Sequence, residues 1–299
     1  METTKSIQEL IKTSNKVQDL EIFKEFADKP EIEVEIAIAG AIQAVKAHRQ
    51  SIKNKRYFEK VNTPIEYKKY TSSELFDFIT LEKSKLFFGT QTKTVLNDKD
   101  EIISSAEVSK FVVDDNNREI IQILCEYFTE DKAFESRGYS FDKGIMLHGN
   151  VGCGKTKLME MFASNPYKSY SLRACKEITD NYYRALNKKE DPNIHLDVFY
   201  NKINTGAPHK FFGHTELGFC FDDLGTDEEK KHFGNNLNVM GEILLARYNR
   251  KHELKGFTHI TTNLTADQIE EAYGLRIRSR LRELVNAIAF PTSAPDRRN

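Results

Sequence analysis

The sequence predicts an α/β fold with a parallel sheet that lies between layers of helices. Three observations lead to this fold class: short apolar runs, helical spacing between those runs, and a glycine-rich loop after the first of them. The apolar runs cover residues 144–148, 218–221, 257–261 and 287–290. Strands that alternate with helices along a chain are typical of parallel sheets with helices on both faces.

Length and composition limit the classes of protein that fit this chain. It has 299 residues, which corresponds to about two domains of roughly 150 residues each. It contains 44 Lys and Arg and 45 Asp and Glu, so its formal net charge is −1. This balance excludes a polycation that coats nucleic acid over its whole surface, while local basic patches remain compatible with it. Hydrophobic residues make up 39% of the chain, which excludes wholesale disorder.

Neither the N-terminus nor any internal segment has the apolar run expected of a signal peptide or a membrane-spanning helix. The four cysteines are Cys125, Cys153, Cys175 and Cys220, and no two of them form a C-x-x-C pair. Such spacing favours free thiols in a reducing compartment and argues against a structural zinc site. We therefore expect a cytoplasmic protein that does not interact with membranes.

The composition changes at residues 89–110, a polar stretch that predicts a linker or an irregular connection. Before it, apolar residues at helical intervals between positions 7 and 26 predict a mainly helical region, whereas residues 31–38 fit either a strand or a helix. The predicted organisation is a helical domain with its linker over residues 1–110 and an α/β domain over residues 111–299.

Residues 149–156 match the pattern G-x-x-x-x-G-K-[ST], in which glycines let the backbone curl around the phosphates of a nucleotide. We expect Lys155 to reach the β and γ phosphates of ATP and the Thr156 hydroxyl to bind magnesium. An apolar strand before the loop and a helical stretch after it argue against a chance match. The predicted ATP-binding residues are Gly149, Asn150, Val151, Gly152, Cys153, Gly154, Lys155 and Thr156.

The apolar run at residues 218–221 ends in two carboxylates, Asp222 and Asp223. An acid at a strand end beside such a loop holds magnesium in nucleotide hydrolases, and we predict this role for Asp222. Asp223 is then predicted to be the general base that polarises the attacking water. The alternative is that the acidic pair only caps the next helix.

The run at residues 257–261 continues through Thr262 to Asn263. An asparagine beside the γ-phosphate can orient the attacking water by hydrogen bonding, and we predict this catalytic role for Asn263. The alternative is structural, because asparagine often closes a strand or caps a helix. The position of this residue as the third motif in the expected order favours the catalytic interpretation.

In this order the motifs resemble those of AAA+ ATPases and, within them, the bacterial and phage helicase loaders of the DnaC/DnaI type. The stretches that carry the resemblance cover residues 148–156, 221–227, 238–250 and 261–284. The resemblance implies a five-stranded parallel sheet flanked by helices, ATP and Mg²⁺ as ligands, and a homo-oligomer in which an arginine of one subunit completes its neighbour's site. It implies that Arg280 is this arginine finger.

Arg276 lies four residues from Arg280, on the same face of a helix, and is the second choice for the finger. A surface ion pair with Glu283 is the structural alternative for Arg280. The chain also departs from the AAA+ pattern. Asp223 stands where many AAA+ proteins have glutamate, and its shorter reach implies slow hydrolysis. About nine residues follow Phe290, so the C-terminal helical lid is expected to be missing, as it is in loaders.

Residues 174–204 correspond, by the same resemblance, to an inserted helix that faces single-stranded DNA in loaders. Tyr182, Arg184, Lys188 and Lys189 interleave a ring with cations, as base stacking and phosphate contacts require, and are the candidates for nucleic-acid binding. The alternative is that Tyr182 packs in the core and that the charges only solvate a surface.

The resemblance implies an ATP-dependent helicase loader. Residues 1–110 would bind a replicative helicase, and residues 111–299 would use ATP to control self-assembly and the binding of single-stranded DNA. A transposition helper ATPase, which delivers DNA to a transposase, shares this core and is one alternative. A nucleotide-binding scaffold that never hydrolyses ATP is another. The identity of the bound partner distinguishes the loader from the transposition helper, and release of phosphate distinguishes both from the scaffold.

Overall fold

A parallel sheet forms the centre of the larger of two structural units, Tyr67–Asn299. The computed structural model describes residues 40, 42–53, 69–97, 102–209, 212–227 and 237–298. In the smaller unit, Met1–Glu66, the described residues 42–53 are helical. The helical region predicted between positions 7 and 26 and the ambiguous segment at 31–38 lie outside the described residues.

Helices and strands alternate over most of the larger unit. The first elements are α1 (Ser72–Asp77), a π-helical segment (Phe78–Lys83), α2 (Ser84–Phe88), β1 (Thr90–Leu96), β2 (Ile102–Ser109), α3 (Arg118–Phe128) and α4 (Ala133–Ser136). Next come β3 (Gly144–His148), α5 (Lys155–Phe162), β4 (Tyr170–Ala174), α6 (Cys175–Asn187), α7 (Asn193–Tyr200), β5 (Ile203–Asn204) and β6 (Glu216–Leu224). The last are α8 (Val239–Asn249), α9 (Lys251–Leu254), β7 (Thr258–Thr262), α10 (Ala266–Leu284) and β8 (Val285–Ala289). Across the described parts of the chain, we find no helix with both the length and the apolar character needed to cross a membrane.

Among the described residues, five strands run parallel in the order β4–β6–β7–β3–β8. The two-residue strand β5 pairs with β6 in the antiparallel direction and adds a short sixth strand. The predicted α/β fold with a five-stranded parallel sheet is therefore confirmed, with this one addition. Because the carboxyl ends of parallel strands lie along one edge, the loops after β3, β6 and β7 meet there.

Helices cover both faces of the sheet, as the alternation of runs predicts. In β6, Cys220 packs in a core with α3 and α5, whereas Phe219 and Phe221 pack in a second core with α8 and α10. In β3, Ile145 belongs to the first core and Met146 contacts the second. Successive side chains of a strand point to opposite faces, so a strand covered on both sides is apolar throughout its length.

The helices before the hairpin belong to the same unit as the sheet. A capping box between Thr71 and Glu74 starts α1. Leu75 and Ile79 are then buried in the core that contains α3 and α5. The described residues from 69 onward therefore fold together with the predicted α/β domain. The prediction that residues 1–110 form a partner-binding domain stays a prediction.

The segment predicted as a linker, residues 89–110, instead forms an antiparallel hairpin of β1 and β2, with Thr90 opposite Ser109. The prediction was wrong because both strands are largely exposed. A strand that is exposed on both faces lacks the alternation of apolar and polar residues by which a half-buried strand is recognised.

A buried arginine connects α8 to the sheet. The Arg247 guanidinium donates hydrogen bonds to the Thr258 hydroxyl at 2.8 Å and to the carbonyls of Phe199 and Phe257 at 2.6 Å each. Burial lowers the pKa of Arg247 to about 9. Since a buried charge is tolerated only where such bonds satisfy it, this network fixes the end of α8 against β7.

Candidate nucleotide-binding site

The phosphate loop connects β3 to α5 at the carboxyl edge of the sheet. Gly154 is the N-cap of α5 and has φ 104°, a left-handed conformation that glycine adopts without strain. Gly152 has φ 82°, and a Cβ there would lie 2.1 Å from the Oδ1 atom of Asp296. Both glycines are therefore required by the geometry, and the loop ends at a helix N-terminus that can accept an anion.

Lys155 is buried within this loop, with 6% of its surface exposed. Its Nζ donates to the carbonyls of Gly149 at 2.8 Å and Asn150 at 2.9 Å, and to Oδ1 of Asn263 at 2.5 Å. Neutral oxygens satisfy the ammonium group in these bonds, so its positive charge is available to a phosphate. The structure thus brings the lysine and the asparagine predicted from separate motifs into direct contact.

Thr156 and Asp222 also meet, because the first turn of α5 faces the end of β6. The Thr156 hydroxyl donates to Oδ1 of Asp222 at 2.9 Å, and the Thr261 hydroxyl donates to the same oxygen at 2.6 Å. Burial raises the pKa of Asp222, and these two hydrogen bonds oppose the shift. Hydroxyl and carboxylate oxygens are ligands that Mg²⁺ accepts together with phosphate oxygens and water, so Thr156 and Asp222 fit a magnesium site.

A β-bulge directs Asp223 toward the site. Phe221 pairs with Ile260 and Leu224 pairs with Thr262, so two residues of β6 lie opposite one residue of β7. Asp223 has φ 58° at this bulge, a conformation that costs a non-glycine residue free energy. Strained backbone of this kind is concentrated at functional sites.

Two hydrogen bonds hold Asp223 in the bulge. Its backbone N–H donates to the Thr261 hydroxyl at 2.8 Å, and Nδ2 of Asn263 donates to its Oδ1 at 2.7 Å. The Thr261 hydroxyl therefore contacts both members of the acidic pair: it donates to the Asp222 carboxylate and accepts from the Asp223 backbone N–H. Thr261 was not among the predicted site residues, although the three threonines in the buried strand β7 were a signal for it.

These groups border a cavity of about 920 Å³. Gly152, Lys155, Thr156, Asp223 and Asn263 are among the residues that line it. The volume falls in the range of small-molecule sites in proteins, about 300–1,000 Å³. The arrangement can bind an anion at the loop, a divalent cation at its rim and a water molecule beside Asp223.

Arg280 lies apart from this cluster, on a partly exposed surface of α10. Its guanidinium carbon lies 4.4 Å from the centre of the Tyr248 ring, and it donates to the Tyr248 hydroxyl at 2.9 Å. It also pairs with Glu283 at 3.4 Å, the ion pair that the sequence analysis gave as an alternative. Gly274, with φ 84°, interrupts α10, so Arg276 and Arg280 lie on the segment after this kink. An arginine that acts on a neighbouring subunit need not contact its own cavity, and the finger role stays a prediction.

The nucleic-acid candidates divide into two groups. Tyr182 is 8% exposed and packs in the core with α8 and α10, which favours the structural alternative for its ring. Arg184, Lys188 and Lys189 are exposed near the end of α6. The cations therefore remain the candidates for contact with phosphates, whereas base stacking by Tyr182 would require its ring to leave the core.

Comparisons with known proteins give matches only among solved structures. No protein-family model matches the sequence, and no curated protein matches it. A crystal structure of DnaI is similar at 22% identity and a TM-score of 0.40, over 60% of this chain and 88% of that chain. AMPPCP-bound DnaA from Aquifex aeolicus is similar at 15% identity and a TM-score of 0.43, over 63% of this chain and 50% of that chain. A DNA replication initiation factor is similar at 14% identity and a TM-score of 0.40, over 60% of this chain and 48% of that chain.

The chain thus spans most of the DnaI structure and about half of the two longer ones.

Proposed function

We propose that this protein is an ATPase that binds ATP with Mg²⁺ and hydrolyses it slowly. The hydrogen bond of 2.9 Å between Thr156 and Asp222 carries the proposal. It joins the last residue of the phosphate loop to the acid at the end of β6, and these are the two protein oxygens that a nucleotide-bound magnesium ion needs. A glycine-rich loop without such an acid would support phosphate binding alone.

Each side chain of the cluster has a distinct role in this reaction. Lys155 neutralises the phosphate oxygens, and the magnesium ion held by Thr156 and Asp222 would offset the charge that develops as the terminal phosphoryl group leaves ADP. Asp223 accepts a proton from the attacking water. Asn263, whose Nδ2 donates to Oδ1 of Asp223, lies beside this carboxylate and keeps its predicted role of orienting the same water. The short reach of the Asp223 side chain supports slow turnover, which suits a switch better than a motor.

We further propose that the protein is a DNA replication factor that loads a replicative helicase onto single-stranded DNA. The motifs at residues 238–250 and 261–284 support this proposal, together with the exposed cations of α6. Residues 1–110 would bind the helicase, and Arg280 would couple hydrolysis to self-assembly. A transposition helper ATPase remains the alternative with the same core.

The direct test combines binding of ATP with release of phosphate. Wild-type protein should bind ATP in a magnesium-dependent manner and release phosphate at a low rate, while Asp223→Asn should bind ATP without hydrolysis. Wild-type protein that binds ATP but releases no phosphate, alone or with DNA, would instead identify a nucleotide-binding scaffold. Asp223→Asn that hydrolyses at the wild-type rate would refute the assignment of the base.

Capture experiments with the full chain separate the two partners. Tagged protein should retain a replicative helicase and not a transposase, and a variant that lacks residues 1–66 should lose the helicase while still binding ATP. This truncation ends at the limit of the smaller structural unit, so it leaves the core around α3 intact. Retention of a transposase alone would replace the loader proposal with its alternative.

A further inference from the structure

The segment after β8, residues 290–298, runs back across the phosphate loop, and we call it the strap. The Phe290 N–H donates to the His148 carbonyl at 2.8 Å, which continues the pairing of β8 with β3. Nδ2 of Asn150 donates to the carbonyl of Thr292 at 3.1 Å. The Arg297 N–H donates to the carbonyl of Gly152 at 3.0 Å. The strap is therefore attached to the loop at both of its ends.

A salt bridge ties the far end of the strap to the segment before α3. Nη2 of Arg297 donates to both carboxylate oxygens of Asp114, at 2.9 and 2.8 Å. The Arg297 side chain is 23% exposed and that of Asp114 is 32% exposed, so water screens the pair only in part. The Ser293 hydroxyl adds a hydrogen bond of 3.1 Å to Oδ1 of Asn116 in the same segment.

The strap and this segment form two walls of the cavity beside the phosphate loop. Phe111 and Val112 line it from the segment before α3, and Phe290 and Pro295 line it from the strap. A phosphate loop binds only the charged part of a nucleotide. Apolar walls next to it provide the environment that a nucleoside base requires, because a flat ring gains most from burial against apolar surface.

We propose that the strap completes the nucleotide site by enclosing the nucleoside part of a bound nucleoside triphosphate, and that the Arg297–Asp114 bridge keeps it closed. The proposal rests on the proposed ATP binding and assigns to it residues that lie outside the phosphate-loop motif. Arg297 and Asp114 act as positioning residues: they hold the wall against the ligand and need not touch its phosphates.

This arrangement predicts that breaking the Arg297–Asp114 bridge changes the rate at which the nucleotide dissociates more than the rate at which it binds. Phosphates still meet Lys155 and the loop amides when the bridge is broken, so the rate of association changes little. The nucleoside loses one wall whenever the strap swings away, so dissociation is faster. A change confined to dissociation separates a retaining element from a residue that binds phosphate.

The test measures dissociation of a fluorescent ATP analogue from the full chain after addition of excess ATP. Asp114→Asn, Arg297→Gln and the double variant are compared with wild type. Asp114→Asn is a conservative change, because an amide oxygen can still accept the hydrogen bond of 2.9 Å from the Asn116 N–H. Each single variant should release the analogue about fivefold faster, which is the effect of a partly screened ion pair. The double variant should be no faster than either single one, since both changes break one bridge.

Three comparisons make the result decisive. Arg297→Lys should release at an intermediate rate, because lysine restores the charge without the planar, more weakly hydrated guanidinium. Arg282→Gln, which removes the same charge from an exposed arginine of α10 away from the cavity lining, should release the analogue at the wild-type rate. Melting temperatures should stay close to that of wild type, which shows that the variants are folded.

Two results would overturn the proposal in distinguishable ways. If wild type binds the analogue and both single variants release it at the wild-type rate, or if their effects add fully in the double variant, the bridge does not retain the nucleotide and the strap proposal fails alone. If wild type fails to bind the analogue at all, the proposed ATP binding fails and the strap proposal fails with it.

Discussion

The side chains at the phosphate-loop edge of the sheet are buried or half-buried and hydrogen-bonded to one another, whereas Arg280 lies on a partly exposed surface with partners of its own. Lys155 and Asp222 are within hydrogen-bond distance of other predicted site residues. Arg280 instead contacts Tyr248 and Glu283, and Lys251 also pairs with Glu283. The first region can bind its ligand within one subunit. In the second region, Arg280 can take part in ATP hydrolysis only if a neighbouring subunit brings its nucleotide site to this arginine.

The largest expected effect concerns this second region. Arg280→Ala should leave the affinity of the isolated subunit for ATP nearly intact, because Arg280 does not contact the loop residues described above. It should lower assembly-dependent hydrolysis by about 10³-fold, the contribution of an arginine finger to phosphoryl transfer. The measurement is phosphate release as a function of protein concentration, with binding of ATP measured in parallel.

Arg282→Ala is the matched control, since Arg282 is an exposed arginine two residues along the same helix. It should hydrolyse at the wild-type rate. A mixture of Arg280→Ala and Lys155→Ala should recover part of the activity, because each variant supplies what the other lacks. If the mixture stays inactive while both variants assemble with wild type, Arg280 does not act across subunits and the ion pair with Glu283 is its role.

Lys155→Ala tests the first region. Removal of a buried ammonium that meets phosphate should cost about 3 kcal/mol of binding free energy, or roughly 100-fold in affinity for ATP. Equilibrium binding of a fluorescent ATP analogue measures the loss. Lys85→Ala, which removes a lysine paired with Glu82 on the surface, should bind as wild type does. Equal affinities of Lys155→Ala and wild type would mean that the nucleotide binds elsewhere.

The two regions also differ in what the sequence could predict. The phosphate loop is a local pattern in which each residue type has a fixed task, so Lys155 and Thr156 could be predicted directly from it. The acids and Asn263 follow from the order of strands, because parallel strands end at one edge. The sequence could not decide between base stacking and core packing for Tyr182, since one residue on a helix gives no information about which face of the helix meets the sheet.

The parts that the sequence did not predict depend on contacts between distant segments. The bulge at Asp223 exists only because β6 pairs with β7 in a particular register, and no local pattern encodes that register. The Arg297–Asp114 bridge joins residues 183 positions apart. The hairpin of β1 and β2 was missed for a different reason: its exposure removes the contrast between faces from which strands are predicted.

A pair of threonines on β7 sharpens the comparison inside the first region. The Thr261 hydroxyl contacts Asp222 and the Asp223 backbone, whereas the buried Thr262 hydroxyl donates to the carbonyl of Leu224 at 2.6 Å. Thr261→Val and Thr262→Val should each lower the free energy of unfolding by about 1–3 kcal/mol, because each leaves buried polar groups unsatisfied.

Only Thr261→Val should also change the chemistry. Asp222 loses a hydrogen bond and Asp223 loses a restraint on its backbone, so we expect phosphate release to fall by about tenfold, the effect of one misplaced charge-assisted hydrogen bond. Phosphate release at saturating ATP and magnesium, together with urea unfolding, separates the two effects. Similar losses of activity in both variants would show that Thr261 contributes through stability alone.

The smallest expected effect concerns His259, on the same strand as these threonines but in the core beneath the site. Nδ1 of His259 accepts a hydrogen bond of 3.1 Å from the Ile145 N–H, so the ring is neutral in the folded protein. Burial lowers the pKa of His259 well below its usual value, and the charges of Lys168 and Arg247 lower it further. The unfolded chain binds a proton near pH 6.5, whereas the folded chain does not, so stability falls as the pH falls below that value.

Between pH 7.5 and 5.5, this single group should lower the free energy of unfolding by about 1.4 kcal/mol. His259→Gln removes the titration and keeps an amide oxygen that can accept a hydrogen bond. Urea unfolding of both proteins at the two pH values gives the difference, in which the contributions of the other histidines cancel. The variant should be less stable than wild type at pH 7.5 because the amide fills the aromatic pocket poorly, yet lose less stability on acidification. If both proteins lose the same free energy, protonation of His259 is not what makes the core beneath the site sensitive to acid.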